Sequence, residues 1–113
     1  MNVIELTNRT FSKIVAQNAL VVVDFWAEWC EPCKSFAKVI EQLAPKYSDV
    51  VFGSVDIDRE QDLATDFAIR SVPTILILKQ QVVVYADSGA LTESVLTELI
   101  DQAKALDISK LTP

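Results

Sequence analysis

The sequence contains no histidine, so the commonest general base and the commonest metal ligand of proteins are both absent. Long apolar runs are also absent: stretches such as Leu20–Val23 and Thr74–Leu78 are far shorter than the roughly 20 residues that cross a bilayer. Near the N-terminus, Glu5, Asn8 and Arg9 interrupt the apolar residues that a secretory signal would need. We therefore expect a cytoplasmic protein that is neither exported nor embedded in a membrane.

Basic residues are few relative to acidic ones. The chain has 10 Lys and Arg against 16 Asp and Glu, a net charge of −6, which disfavours nucleic acids and anionic membranes as partners. Its 113 residues leave room for one domain, and half of them are apolar, as in a globular protein with a core of its own. We expect a single globular domain, with a monomer as the default state.

Cysteine is limited to Cys30 and Cys33, in the spacing C-x-x-C. Two residues cannot form a disulfide framework, and in a reducing compartment a close pair is typically redox-active or metal-binding. A structural zinc site needs four ligands, which this chain does not offer by itself. The pair is therefore interpreted as redox-active, with an iron–sulfur cluster shared between two chains and an inert disulfide as alternatives.

The hydrophobic patterns predict the element order β-α-β-α-β-α-β-β-α. Helical crossovers imply that the strands they connect are parallel, whereas the last two strands form an antiparallel hairpin around Gln80–Gln81. We therefore expect an α/β fold with a mixed sheet covered by helices on both faces. Without an Asn-Gly-like turn, this hairpin is expected to be longer or differently shaped. The predicted strands are Val3–Leu6, Leu20–Trp26, Val50–Ile57, Thr74–Leu78 and Val82–Tyr85. The predicted helices run from a cap at Thr7 or Asn8 to Gln17, from Pro32 to a last turn at Pro45, over Gln61–Phe67, and from Thr92 to Ala105 with Val95, Leu96, Leu99, Ile100 and Ala103 facing inward.

The cysteine pair is predicted to lie where the strand Leu20–Trp26 ends and the next helix opens. Pro32 suits the first turn of that helix, because its missing N–H is no loss there. A helix N-terminus carries a partial positive charge that stabilises a thiolate, which is the nucleophile of thiol–disulfide exchange. Cys30, at the mouth of the helix, is expected to be the exposed attacking thiol, and Cys33, one turn further in, the more buried resolving thiol.

At these residues the sequence resembles the thioredoxin family. The resemblance rests on VVDFWAEWC-x-PCK around the cysteine pair, on Ser-Val-Pro-Thr at 71–74 and on Ser-Gly-Ala at 88–90, and it covers about residues 1–105. It implies a thioredoxin fold, with a central mixed five-stranded sheet flanked by four helices, and leaves 106–113 as a helix end and loose tail. It also implies a protein disulfide reductase that acts on disulfide-containing proteins, binds no cofactor, and is re-reduced by a flavin-dependent, NADPH-consuming thioredoxin reductase.

The resemblance assigns further roles around the cysteines. Asp24 corresponds to a buried carboxylate that relays a proton to or from Cys33, and apolar surroundings should raise its pKa. Pro73 corresponds to a cis-proline beside the pair, and the backbone of Val72 to a docking edge for a substrate strand. Trp26 is expected to pack beneath the site. The apolar rim that contacts partners would consist of Trp29, Val72 and the Ser88-Gly89-Ala90 loop.

Two positions depart from the usual family pattern. Glu31, beside Pro32 between the cysteines, stands where glycine is common, and its carboxylate should oppose thiolate formation at Cys30. We therefore expect Glu31 to tune the reduction potential of the cysteine pair, making the pair at least as reducing as that of an ordinary thioredoxin. Ser54 stands where the family has a lysine partner for Asp24, so we expect either a higher pKa for Asp24 than is usual in the family or a water in place of the lysine. An oxidase or isomerase is one alternative function, and a binding subunit without turnover is another.

Overall fold

The sheet of the protein is mixed, as its sequence predicts. The computed structural model describes residues 2–110, whose five strands are arranged in the order β1-β3-β2-β4-β5. Strands β1, β3 and β2 are parallel, and β4 pairs antiparallel with both β2 and β5. The strands are β1 (Val3–Glu5), β2 (Leu20–Trp26), β3 (Val51–Asp56), β4 (Thr74–Lys79) and β5 (Val82–Ser88), and the helices are α1 (Phe11–Gln17), α2 (Glu31–Leu43), α3 (Gln61–Asp66) and α4 (Glu93–Ala105).

Strand β2 lies in the middle of the sheet because its β-branched and aromatic residues can be buried on both faces. Its alternate residues belong to two separate cores. Leu20 and Val22 pack with α2 and α4, whereas Val21 and Val23 pack with α1 and α3. By the same alternation, Asp24 lies on the face that α2 covers.

The ends of two helices differ in how well the sequence predicted them. Helix α1 begins at Phe11, not after Thr7 or Asn8, because the preceding residues form a turn in which the Phe11 N–H donates to the Thr7 carbonyl at 3.0 Å. The Asn8 side chain instead accepts from the Leu63 N–H of α3, at 3.1 Å. Helix α4 begins at Glu93, one residue after its predicted start, and Thr92 is its N-cap, since the Thr92 hydroxyl accepts from the backbone N–H of the third residue after it.

Two expectations about packing near α2 and α4 are corrected. Val95 was expected to face inward from α4, but its side chain is 43% exposed, and the helix is anchored instead by Leu96 and Ile100. Pro45, which the sequence predicts in the last turn of α2, lies in a 3₁₀ turn that follows the helix.

The hairpin between β4 and β5 is short. Lys79 pairs with Val82, so only Gln80 and Gln81 form the turn, and both have left-handed backbone conformations, with φ of 50° and 68°. This is the geometry that two-residue hairpins favour, and a glutamine can adopt it at some cost. The expectation of a longer hairpin is therefore wrong, and β5 extends three residues beyond its predicted end, to Ser88.

The end of α4 is tied to the sheet by Lys79. Its ammonium group donates to the carbonyls of Ala103, Lys104 and Leu106, at 2.9, 2.8 and 2.5 Å. The segment Ile108–Lys110 forms a 3₁₀ turn where a loose tail was expected, and residues 111–113 of that predicted tail lie outside the described residues. Within residues 2–110, every helix is too short or too polar to cross a membrane.

Candidate active site

The cysteine pair lies at the N-terminus of α2. Cys30 is the N-cap residue, and its sulfur accepts a hydrogen bond from the Cys33 N–H at 3.2 Å. The two sulfurs are joined in a disulfide, with the Cα atoms 5.3 Å apart. Glu31 and Pro32 are the first two helical residues, as predicted for Pro32. The pair thus occupies the positive end of the helix dipole, which favours a thiolate after reduction.

Both cysteines are buried, and this corrects the expectation that Cys30 is exposed. Cys30 is 5% exposed and Cys33 is 2% exposed. They form a small apolar cluster with Ala27, against which the half-buried side chains of Trp26 and Val72 pack. The packing of Trp26 agrees with its predicted place beneath the site. Little of Cys30 is therefore open to an incoming disulfide.

A loop containing a cis peptide bond adjoins Cys30. The Val72–Pro73 bond is cis, as predicted, and the Val72 carbonyl oxygen lies 3.7 Å from the Cys30 sulfur. The carbonyl of Pro73 accepts from the Gly89 N–H at 2.8 Å. Gly89 has φ of +107°, a conformation that side chains disfavour. This hydrogen bond places the 88–90 segment next to the Val72–Pro73 loop, as the predicted rim requires.

Trp29 projects from the surface beside the pair, 68% exposed. Its indole N–H donates to the Asp58 carboxylate at 3.0 Å, which restrains an otherwise uncovered ring. Asp58 was missed by the sequence analysis, although a clue was present. Strands β2 and β3 are parallel, with Trp26 opposite Asp56, so the residues that follow the two strands come close together.

Asp24 is a buried acid, as predicted. The residue is 3% exposed, and its Oδ1 atom has no hydrogen-bond partner among residues 2–110. Burial raises the pKa of Asp24 from 3.8 to about 7, since desolvation disfavours the charged form. Ser54 and Ile75 lie beside it on the neighbouring strands, and neither carries a charge. The carboxyl group therefore titrates close to neutral pH.

A cavity of 540 Å³ joins this acid to the disulfide, because Asp24, Cys33 and Ser54 all line it. Trp26 also lines it, so this ring is a wall of the cavity as well as packing beneath the pair. Local sequence patterns do not predict this space, because it depends on how far α2 stands from the sheet. Asp24 and Cys33 therefore border the same space.

Glu31 is exposed, and its carboxylate accepts from the Lys34 ammonium group at 3.0 Å. The side chains of Glu31 and Lys34 are 82% and 58% exposed, so the pair is well solvated and weak. Lys34 partly offsets the negative charge that Glu31 places near Cys30. The predicted effect of Glu31 on the redox couple should accordingly be small.

The family model for Thioredoxin matches residues 2–102. The chain belongs to the thioredoxin family. It is 46% identical over 108 residues to "Putative thioredoxin 2" of Streptomyces coelicolor, covering 96% of this chain and 81% of that protein. It is 38% identical over 100 residues to the thioredoxin of Chlorobaculum thiosulfatiphilum, covering 87% and 93%. Thioredoxin f from spinach chloroplast (short form) superposes with a TM-score of 0.85 at 39% identity, covering 91% and 94%.

The thioredoxin fold expected from the sequence is thus confirmed, with its five-stranded mixed sheet and four helices. As a member of the thioredoxin family with a Cys30–Cys33 pair, the protein is a thiol–disulfide oxidoreductase that acts as a protein disulfide reductase. Its chemistry is carried by sulfur atoms of the chain itself.

Proposed function

We propose that the two cysteines divide the reduction of a protein disulfide between them. The Cys30 thiolate attacks one substrate sulfur, forming a mixed disulfide and releasing the other substrate sulfur as a thiolate. The Cys33 thiolate then attacks the Cys30 sulfur, forming the intramolecular disulfide and releasing the second substrate thiolate. Two electrons pass to the substrate, and the protein is left oxidised.

One observation supports this order: the two sulfurs have different surroundings. Cys30 lies 3.7 Å from the Val72 carbonyl, at the docking edge, whereas Cys33 lies one turn further in and lines the cavity that holds Asp24. A substrate strand on that edge would meet Cys30 first. A group that takes a proton inside the cavity would act on Cys33.

In this proposal, Asp24 is the group that takes that proton. With a pKa raised to about 7 by burial, its carboxylate is basic enough to accept the proton of Cys33 and acidic enough to return it near neutral pH. The proton would cross the shared cavity by way of water. Asp24 therefore sets the rate of the resolving step rather than of the first attack.

Substrate docking is proposed for the rim around Cys30. The exposed ring of Trp29 supplies apolar contact area, and the backbone at Val72 offers hydrogen bonds to an extended segment. Asp58 is a positioning residue here, since it holds the indole N–H. Gly89 has a φ of +107°, which a residue with a side chain disfavours, and in this conformation its N–H donates to the Pro73 carbonyl beside the docking edge.

Variants of the two cysteines test the order of attack. Cys33→Ser should accumulate a mixed disulfide with a disulfide-bonded test protein such as insulin, seen as a thiol-sensitive adduct by mass spectrometry. Cys30→Ser is the matched control and should form far less adduct. If Cys30→Ser traps the substrate and Cys33→Ser does not, the assignment of the two roles is wrong. A double Cys→Ser variant that keeps full biological activity would instead favour a binding role.

We also propose that the protein works in the cytoplasm, on protein disulfides, and is recycled by a flavin-dependent, NADPH-consuming reductase. Such a role needs a reduction potential of about −270 mV or lower, whereas isomerases and oxidases lie at about −180 to −120 mV. Equilibration with thiol/disulfide buffers, followed by the fluorescence of Trp26 and Trp29, gives the value. A potential in the second range would contradict the cytoplasmic role.

A further inference from the structure

The cavity beneath α2 is larger than the passage of a proton requires. Its volume of 540 Å³ lies within the range of small-molecule sites, about 300–1,000 Å³. Its floor is formed by Ser54 in β3 and Asp24 in β2, which pair in register, and Glu5 of β1, which pairs with Ser54 on the other side, lies at the exposed edge of the cavity. Helix α2 forms the opposite wall. The space is thus framed by rigid elements rather than by loops alone.

The floor presents a buried acid without a partner. Asp24 is 3% exposed, and its Oδ1 atom accepts no hydrogen bond within residues 2–110. Its neighbour in β3, Ser54, brings no positive charge to offset it when it ionises. A buried carboxylate in this condition is stabilised by a cation that donates hydrogen bonds to it.

The walls and the mouth indicate what kind of cation would fit. The walls are mostly apolar, formed by Val3, Trp26, Ala27, Ala37 and Ile40. At the mouth, the Lys34 ammonium group is bound to the Glu31 carboxylate, and the Glu5 carboxylate lies 3.9 Å from the Arg59 guanidinium group. The other two charged residues at the mouth are Glu28 and Glu41. The carboxylates are spread over floor and mouth, and no three of the Cys, Asp or Glu side chains in the described part of the chain are grouped to hold a metal ion.

We propose that this cavity binds a linear aliphatic diamine. One ammonium group would sit on the Asp24 carboxylate, the methylene chain would lie along the apolar walls, and the second ammonium group would reach the mouth beside Glu28 and Glu41. Each part of the ligand meets the matching chemistry of the cavity: charge at both ends and an apolar surface between them.

The probe is 1,5-diaminopentane, with 1,5-pentanediol as a neutral control of equal length. Both are titrated into isotopically labelled, oxidised protein, and binding is followed by NMR through the backbone amides of the cavity and the Asp24 carboxyl carbon. Since Cys30 and Cys33 are joined in this form, no turnover takes place. A failure to bind would therefore leave the proposed reductase mechanism untouched.

The diamine is expected to shift the NMR signals of backbone amides around the cavity, from Trp26 to Ala37. It should bind roughly tenfold or more tightly above pH 8 than near pH 5, because its ammonium group binds the ionised Asp24 carboxylate. Asp24→Asn should abolish this pH dependence and weaken binding above pH 8 by a similar factor. The charged residues that share the cavity, Glu5, Glu28, Lys34 and Glu41, are unchanged in that variant. A pH effect that persists in Asp24→Asn would belong to them and would contradict the placement of the ammonium group on Asp24.

Two pairs of variants complete the test. Ser54→Lys should fill the cavity with a tethered ammonium group and block the diamine, whereas Ser54→Ala should leave binding intact. Glu41→Gln should weaken the binding of the diamine more than the binding of 1-aminopentane. Glu98→Gln, an exposed change on α4, should change the binding of neither ligand. The proposal is overturned if the diol binds as tightly as the diamine, if Asp24→Asn binds the diamine as tightly as the unchanged protein, or if no cavity amide shifts at tens of millimolar diamine.

Discussion

The Asp24 carboxyl group should make the stability of this protein depend on pH. Its pKa is about 7 in the folded chain, against an ordinary value of 3.8, so the folded state holds the proton more tightly than the unfolded state. The contribution of Asp24 to stability is therefore greatest at low pH, where its carboxyl group is protonated in the fold, and it falls as the pH rises from about 4 to about 7. Replacing Asp24 with asparagine removes this titration.

The magnitude follows from the two pKa values. At about 1.36 kcal/mol per pH unit, the difference between 3.8 and about 7 corresponds to about 4 kcal/mol of unfolding free energy. Asn is nearly the same shape as protonated Asp, so Asp24→Asn should have little effect near pH 4. Above pH 7.5 the variant should be more stable than the unchanged protein by about 4 kcal/mol, because it avoids a buried negative charge.

Urea unfolding of the oxidised proteins between about pH 4 and pH 8 measures this difference, with the slope of the transition checked for constancy. Asp66→Asn, an exposed change at the end of α3, is the matched control and should give a difference that stays flat with pH. If the difference between Asp24→Asn and the unchanged protein is equally flat, the carboxylate is well solvated in its cavity and the argument from burial is wrong.

Three further substitutions have predictable effects. Lys79→Met should lower the unfolding free energy by about 1.5–3 kcal/mol in urea titrations, because three carbonyls at the end of α4 lose a charged donor. Gly53→Ala should lower it by about 1–3 kcal/mol, since the added methyl carbon would lie 2.9 Å from Cγ of the fully buried Leu6. Glu31→Gln should make the reduction potential about 10–20 mV less negative in thiol/disulfide buffers, because it removes a carboxylate from the helix end that carries Cys30.

Each of these three substitutions has its own control. Lys13→Met changes an exposed lysine of α1 and should leave stability nearly unchanged; equal effects at Lys13 and Lys79 would contradict the bridging role. Adding Leu6→Ala to Gly53→Ala should cost less than the sum of the two single changes, and strict additivity would show that the two residues do not collide. A more negative potential for Glu31→Gln would reverse the sign assigned to Glu31.

The order of the elements and the location of the redox pair could be read from local patterns. The β-branched run of β2 and the 3.6-residue spacing of α2 and α4 are properties of neighbouring residues, and so is the C-x-x-C pair after a strand. Asp24 could be placed because it interrupts an apolar strand. The cis bond at Pro73 came from the family resemblance, not from the local pattern.

Local patterns failed where a partner distant in sequence decides the outcome. Cys30 is buried beside the distant Val72–Pro73 loop, whose Val72 carbonyl lies 3.7 Å from its sulfur, and Trp29 is held by Asp58, which follows a different strand. The start of α1 is displaced because Asn8 bonds to α3 rather than capping its own helix. None of these partners can be identified from the residues next to the group in question.

The tight turn at Gln80–Gln81 has a different cause, since the pairing of the two adjacent strands β4 and β5 imposes a left-handed backbone on two residues that do not favour it. The cavity over Asp24 shows the limit most clearly. Sequence places a carboxylate in an apolar strand, and its raised pKa follows from burial. Whether that carboxylate lines a cavity depends on how α2 packs across β1, β3 and β2, which only the folded chain establishes.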